Sequence, residues 1–201
     1  MNLPNKLTVS RLLLTFVFLA AIFLQFPFHR TVALVVFVAA SITDLLDGAI
    51  ARRRKLITNF GVLMDPLADK ILICSAFIAF VGHDMIGTTY IQAWMVVVIV
   101  ARELAITGLR LLAANKQVVL AAEGYGKHKT ASQITCAIAV LVLLSYPEWG
   151  AVGRAIFGLP VLGRPWVESF TVAAAWLAVA MTFISGWLYL WRNRELYLSD
   201  M

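Results

Sequence analysis

The chain has 201 residues, 61% hydrophobic and 14% charged, with a mean hydropathy of +0.85 and a formal net charge of +6. So apolar a composition excludes an ordinary soluble domain and fits one compact multispan membrane domain over residues 1–201. The basic residues flank apolar runs instead of forming one basic face, which points to an anionic lipid surface and away from nucleic acid.

The chain opens on the short polar and basic stretch MNLPNKLTVSR, and Arg11 introduces the apolar run LLLTFVFLAAIFLQF. A secretory signal would look similar, with Lys6 and Arg11 as its charged region and Ala20–Ala21 near a cleavage point, but this chain continues through further spans. Pro27 to Arg30 turn into a second span at 31–52, which ends in the basic cluster Arg52–Lys55. A third span is predicted at 61–82, with Pro66 in its first turn, where a missing N–H is harmless. The fourth is predicted at 90–114, the fifth follows the polar loop EGYGKHKTASQ and ends near Tyr146–Pro147, and the sixth covers 166–191 after a long connection rich in Gly and Pro. Trp149, Trp166, Trp187 and Trp191 have the character of interface anchors. Cys74 and Cys136 lie inside apolar segments without CxxC spacing, so neither a disulfide framework nor a zinc site is indicated.

The expected fold is therefore an all-α integral membrane protein with six transmembrane helices. Six spans put both termini on one side, with 14 of the 17 Lys and Arg; only Arg30, Arg154 and Arg164 fall on the other. The positive-inside rule then makes the N and C termini cytoplasmic.

Between the second and third spans the carboxylates concentrate. Asp44, Asp47, Asp65 and Asp69 are four of the chain's eleven acidic residues. At about 100° per residue, Asp44, Asp47, Gly48, Ala51 and Arg52 fall on one arc of a helix, and Gly61, Asp65 and Asp69 share a face of the next. A carboxylate at the centre of a membrane helix costs roughly 2.5–3.5 kcal/mol, and four together repel one another as well. A ring of solvated charges at a helix–loop boundary is the plain reading. The aligned spacings favour divalent metal, and carboxylates without His or Cys suit hard ions such as Mg²⁺ or Mn²⁺, of which four ligands could hold two. A metal pair clamps phosphoryl oxygens during displacement.

Two further groups carry charge into apolar context. In VARELAITGLR, Glu103, Thr107 and Arg110 recur at spacings of four and three and are predicted to point into the bundle. Either Glu103 and Arg110 form a structural pair, or Arg110 binds an anionic substrate with Glu103 holding it. Lys127, His128 and Lys129 open the fifth span, with Lys129 and Gln133 on one face.

The eight positions D44-x-x-D47-G48-x-x-A51-R52, then G61-x-x-x-D65-x-x-x-D69, resemble throughout the signature of the CDP-alcohol phosphotransferases. The resemblance implies a homodimeric membrane enzyme that displaces CMP from a CDP-linked lipid with an alcohol, using two divalent ions, Mg²⁺ or Mn²⁺. It implies Asp44, Asp47, Asp65 and Asp69 as metal ligands, with Asp69 also the base for the attacking hydroxyl. Gly48, Ala51 and Gly61 would leave room for the nucleotide, and Arg52 would pair with a phosphate. The opening NLPNKLTVSR and the later KTxxQ resemble the branch that accepts glycerol 3-phosphate; there Asn5 and Thr8 approach the nucleotide, although both could equally be helix caps. Arg110, Lys127 and Lys129 suggest a phosphorylated acceptor. The expected reaction joins CDP-diacylglycerol and glycerol 3-phosphate into phosphatidylglycerol phosphate and CMP at the cytoplasmic face of the cell membrane. Inositol phosphate is the alternative acceptor, and a divalent-cation channel or transporter the alternative of another class.

Overall fold

The computed structural model describes residues 3–54, 59–83, 90–118, 125–161 and 163–198; the side chains of 3–7, 44–54, 59–66, 69, 115 and 125–127 lie outside the described residues. The chain is helical almost throughout: α1 (Leu3–Phe23), α2 (His29–Arg54), α3 (Asn59–Val81), α4 (Ala93–Asn115), α5 (Tyr125–Ser145), α6 (Gly150–Phe157), α7 (Trp166–Arg192) and α8 (Arg194–Leu198). The six long helices match the six predicted apolar runs. α1 starts earlier than its apolar run, because the polar opening continues the helix and Pro4 falls in the first turn, where its missing N–H costs nothing.

The contacts between helices fix their directions. His29 Nδ1 donates to the Ala21 carbonyl at 3.1 Å and the Phe18 and Phe37 rings lie 5.6 Å apart, so α1 and α2 form an antiparallel hairpin. The end of α3, with Gly82 and His83, lines one cavity with Ile22 and His29, so α3 runs parallel to α1. α4 and α7 run side by side in one direction, Arg102 meeting Ser185, Arg110 meeting Tyr189 and Lys116 meeting the Leu196 carbonyl. α5 runs against α7 and α2: Lys129 meets Glu103, Gln133 meets Thr182, and Glu148 just beyond α5 meets the start of α2. One end of the bundle thus collects the starts of α1, α3 and α5 with the ends of α2, α4 and α7. Every segment singled out in the sequence for chemistry belongs to that end, called the motif end below.

Helix contacts are made close by small residues. Ala33, Ala40, Ala76, Ala137, Ala175 and Ala178 are buried at the interfaces, around Phe77, Phe80, Ile99, Leu141 and Leu144. The outer surface is apolar instead of polar, with Phe16, Val97, Leu104, Leu177 and Phe183 all more than half exposed. In water such a surface would drive association, so lipid is its natural solvent. Among the described residues, His128–Phe157 and Trp166–Arg192 are long and apolar enough to cross a membrane; Thr8–Phe23, His29–Thr43 and Lys70–Val81 are shorter apolar helices. α4 carries Arg102, Glu103 and Arg110 along its length, which dilutes its apolar character.

The Gly/Pro-rich connection between the fifth and sixth spans is more ordered than the sequence suggests. A 3-10 turn over Tyr146–Trp149 leads into α6, and strands β1 (Pro160–Val161) and β2 (Arg164–Pro165) pair as a minimal hairpin. Phe157 packs on Trp149 at 5.5 Å and on Trp166 at 5.7 Å between centroids. Gly153 makes this packing possible, since a Cβ there would lie 2.1 Å from the Tyr146 carbonyl oxygen. Trp149 is not a simple interface anchor: its indole N–H donates to Thr31 Oγ1 at 2.9 Å, inside the protein.

Candidate active site

The motif is carried by continuous helix on both sides. Asp44, Asp47, Gly48, Ala51 and Arg52 lie in the second half of α2, and Gly61, Asp65 and Asp69 in the first half of α3. Their side chains, apart from the glycines' lack of one, lie outside the described residues, as do those of Asn5 and Lys127. α1 packs against both α2 and α3, so its opening turns belong to the same end as the motif. Thr8 is in the second turn of α1 and 1% exposed, which places it inside a helix and not at a cap. Arg11, read from the sequence as a flanking charge, is buried at 2% exposure.

Below the motif lies a polar cluster built by α3, α4, α5 and α7. Glu103 is buried and accepts a short hydrogen bond from Lys129 Nζ and a longer one from Arg102 Nη1 at 3.3 Å. Arg102 Nη2 donates to Ser185 Oγ at 3.4 Å on α7. Lys70, next in sequence to Asp69, donates to Thr107 Oγ1, and that hydroxyl donates to the Glu103 carbonyl at 2.7 Å. A turn further along α5, buried Gln133 donates from Nε2 to Thr182 Oγ1 at 2.9 Å. Burying charge inside a membrane bundle is tolerated when the charges pair with one another, and a cluster of this kind marks a functional interior by default.

This arrangement corrects one expectation. Glu103 and Arg110 do not pair inside the bundle; Glu103 holds Lys129 and Arg102, while Arg110 is exposed with its guanidinium 5.7 Å from the Tyr189 ring centroid and its Nε 3.4 Å from the Tyr189 hydroxyl. A spacing of seven residues puts Glu103 and Arg110 within about 20° of one another around a helix, but α4's neighbours decide which of them is covered. α5 covers Glu103, whereas Arg110 lies at the edge of the α4–α7 contact. Arg102 is the residue to which the sequence reading gave no role. The signal available for it was a Ser-Gly pair, Ser185–Gly186, in the facing helix.

The donor set suits a hard metal ion by its chemistry: four carboxylates at i, i+3 and i, i+4 spacings on two successive helices, with no His or Cys in either segment. Among the described residues no three His, Cys, Asp or Glu side chains come together.

A helical bundle with an apolar outer surface and a charged interior at the motif end defines a membrane protein with buried polar chemistry. The chain belongs to the CDP-alcohol phosphatidyltransferase family, whose family model matches residues 1–184. It is 37% identical over 206 aligned residues, covering 96% of each chain, to the CDP-diacylglycerol–glycerol-3-phosphate 3-phosphatidyltransferase of Bacillus subtilis (strain 168). It is 33% identical to the protein of the same description from Rickettsia felis, over 94% of this chain and 93% of the relative. A Mycobacterium tuberculosis (strain ATCC 25618 / H37Rv) protein described as a probable phosphatidylglycerophosphate synthase is 39% identical over 92% of this chain and 78% of its own length. Proteins of this family are membrane-bound enzymes and are generally dependent on divalent metal.

Proposed function

We propose that this chain transfers the phosphatidyl group of CDP-diacylglycerol to glycerol 3-phosphate, giving phosphatidylglycerol phosphate and CMP. The observation that carries this reading is the complete eight-position motif on α2 and α3, together with full-length relatives described by that reaction. Asp44, Asp47, Asp65 and Asp69 are the residues that would hold two divalent ions, Mg²⁺ or Mn²⁺. Bound there, such ions supply positive charge that offsets the negative charge building on the transferred phosphoryl group and on departing CMP.

The protein's own groups do the rest. Arg52 pairs with a phosphate of the CDP-lipid, and Gly48, Ala51 and Gly61 keep the nucleotide's space clear, with Asn5 and Thr8 at its edge. Asp69 accepts the proton of the acceptor hydroxyl as that oxygen attacks the phosphorus bearing the diacylglycerol group. The new P–O bond forms as the bond to CMP breaks, and CMP leaves with the electron pair. Lys127 and Lys129 at the start of α5 favour an acceptor that carries its own phosphate. Arg110, exposed at the same end, supplies charge that draws the acceptor in.

Six spans with cytoplasmic termini complete the reading. The alternating helix directions support it. So does the charge count: with Arg11, Lys70, Arg102 and Lys129 set aside as interior, ten Lys and Arg remain at the motif end or in its flanking segments against three at the other. The lipid substrate then enters laterally from the cell membrane and the acceptor from the cytoplasm. A homodimer is part of the proposal by family resemblance alone.

The test is to incubate purified protein with CDP-diacylglycerol, Mg²⁺ and, in turn, glycerol 3-phosphate, inositol phosphate, serine and glycerol, and to measure CMP. Release with glycerol 3-phosphate alone is expected. Release with inositol phosphate alone would reassign the acceptor, and divalent-ion flux into liposomes without CMP release would replace the enzyme reading with a channel.

A further inference from the structure

Arg102 is under-satisfied for a guanidinium inside a membrane bundle. It has five N–H donors. Two make contacts at 3.3 and 3.4 Å, near the outer limit of a hydrogen bond, and its Nε is buried with no partner among the described residues. Its nearest carboxylate, Glu103, is already engaged by Lys129 through the shorter bond. The triad of Arg102, Lys129 and Glu103 therefore sets two basic groups against one carboxylate, enclosed at side-chain exposures of 14%, 6% and 7%. A buried cation that shares its carboxylate with a second cation is costly, and it persists in a membrane helix where a further anion completes it.

The facing helix is shaped to admit this side chain. Gly186 on α7 lies against Arg102, and a Cβ at that position would sit 2.7 Å from Arg102 Cγ. Cγ is near the root of the side chain, so it cannot swing clear without moving the whole guanidinium. Gly186 is an ordinary helical residue with no positive φ to require glycine. The space itself is what it provides. The cluster also adjoins the motif: Lys70, the neighbour of Asp69, contacts Thr107, whose hydroxyl binds the Glu103 carbonyl.

We propose that Arg102, seated through Gly186 and held beside Lys129 by Glu103, binds the phosphate monoester of the acceptor alcohol and so makes the enzyme require a phosphorylated acceptor. A phosphate monoester carries between one and two negative charges at neutral pH and presents oxygens that match the planar guanidinium fork. On its arrival the triad's surplus charge is matched and the unused N–H groups of Arg102 gain acceptors. Glu103 is the positioning residue: it keeps two like charges side by side before the ligand comes. An alcohol without a phosphate leaves the surplus in place, which disfavours serine or glycerol. This inference rests on the acceptor-transfer reading above.

The experiment compares wild type, Arg102→Gln, Arg102→Lys, Gly186→Ala and the Arg102→Gln/Gly186→Ala double variant, with steady-state CMP release and thermal stability measured for each. Arg102→Gln should raise KM for glycerol 3-phosphate about 10- to 100-fold with KM for CDP-diacylglycerol nearly unchanged, and should narrow the preference for glycerol 3-phosphate over glycerol. Arg102→Lys should recover part of the loss. Gly186→Ala should raise the same KM in wild type but add nothing in the Arg102→Gln background, because its effect runs through Arg102. Independent, multiplying effects of the two substitutions would overturn the proposal, and so would lowered stability with an unchanged acceptor KM. Should Arg102→Gln not fold, Arg102→Lys and Gly186→Ala decide the matter by the same KM split. Wild-type protein that releases no CMP with any phosphorylated alcohol defeats the transferase reading itself, an outcome distinct from a variant that fails to change KM.

Discussion

At the end of the bundle away from the motif, a carboxylate is matched by backbone and hydroxyl donors of the same protein; at the motif end two basic side chains share one described carboxylate. Glu148, just past α5, caps the start of α2 by accepting from the Arg30 and Thr31 amides at 3.2 and 2.9 Å and from Thr31 Oγ1 at 2.6 Å. Trp149 donates to the same threonine. The motif end instead sets Arg102 and Lys129 on one described carboxylate, Glu103. The contrast separates an end held by its own hydrogen bonds from the end that carries the motif and, in the proposed reading, the chemistry.

The largest expected effect lies in the motif. Asp65→Asn should lower CMP release by about 1,000-fold or more while thermal stability without metal changes little, because an amide retains the shape but supplies no charge to a divalent ion. Chelation of divalent ions by EDTA should reproduce the loss in wild type, and added Mg²⁺ or Mn²⁺ should restore it. Wild-type turnover in the variant at ordinary metal concentration would remove the two-metal reading.

Gly48→Leu probes space instead of charge at the same end. Filling the nucleotide's place should raise KM for CDP-diacylglycerol by about 5- to 100-fold, with the metal concentration at half-maximal activity nearly unchanged. Equal losses of lipid and metal affinity would point to a distorted α2.

At the structural end the expected loss is of stability. Glu148→Ala removes the acceptor for two helix-start amides and a hydroxyl, at a cost of about 1–3 kcal/mol. Unfolding should come at lower temperature or denaturant, with kcat per folded molecule preserved. A fall in kcat without a fall in stability would show that the two ends are coupled through α2.

Much of this division was legible in the sequence. Apolar runs of about twenty residues bounded by charge or Gly/Pro locate the long helices, and the fixed spacings of the motif identify the family. Two things were hidden. The fold of the fifth-to-sixth connection depends on Phe157 meeting Trp149 and Trp166, a tertiary contact that overrides a local composition suited to loops. The partner of Glu103 was hidden as well, because periodicity gives the face of a helix but not the helix that covers it. Lys129, 26 positions away, could not be preferred over Arg110 on the same helix.

Arg110 supplies the smallest and most discriminating prediction. Its side chain is exposed, lies over Tyr189 and has no carboxylate partner among its described contacts, so its charge acts through solvent at the rim of the motif end. A charge in that position raises the encounter rate with an anionic acceptor, and salt screens the effect. Arg110→Gln should therefore lower kcat/KM for glycerol 3-phosphate by about 2- to 5-fold at low ionic strength, and the difference from wild type should close at about 0.5 M salt. Arg102→Gln should show a larger loss that salt does not erase, since its guanidinium is enclosed. A salt-independent rise in acceptor KM of about 10-fold or more in Arg110→Gln would instead mean that Arg110 grips the phosphate directly. The side chain would then have to leave Tyr189 and turn inward on binding, a movement that Tyr189→Phe, by releasing its hydrogen bond to Arg110 Nε, should make easier.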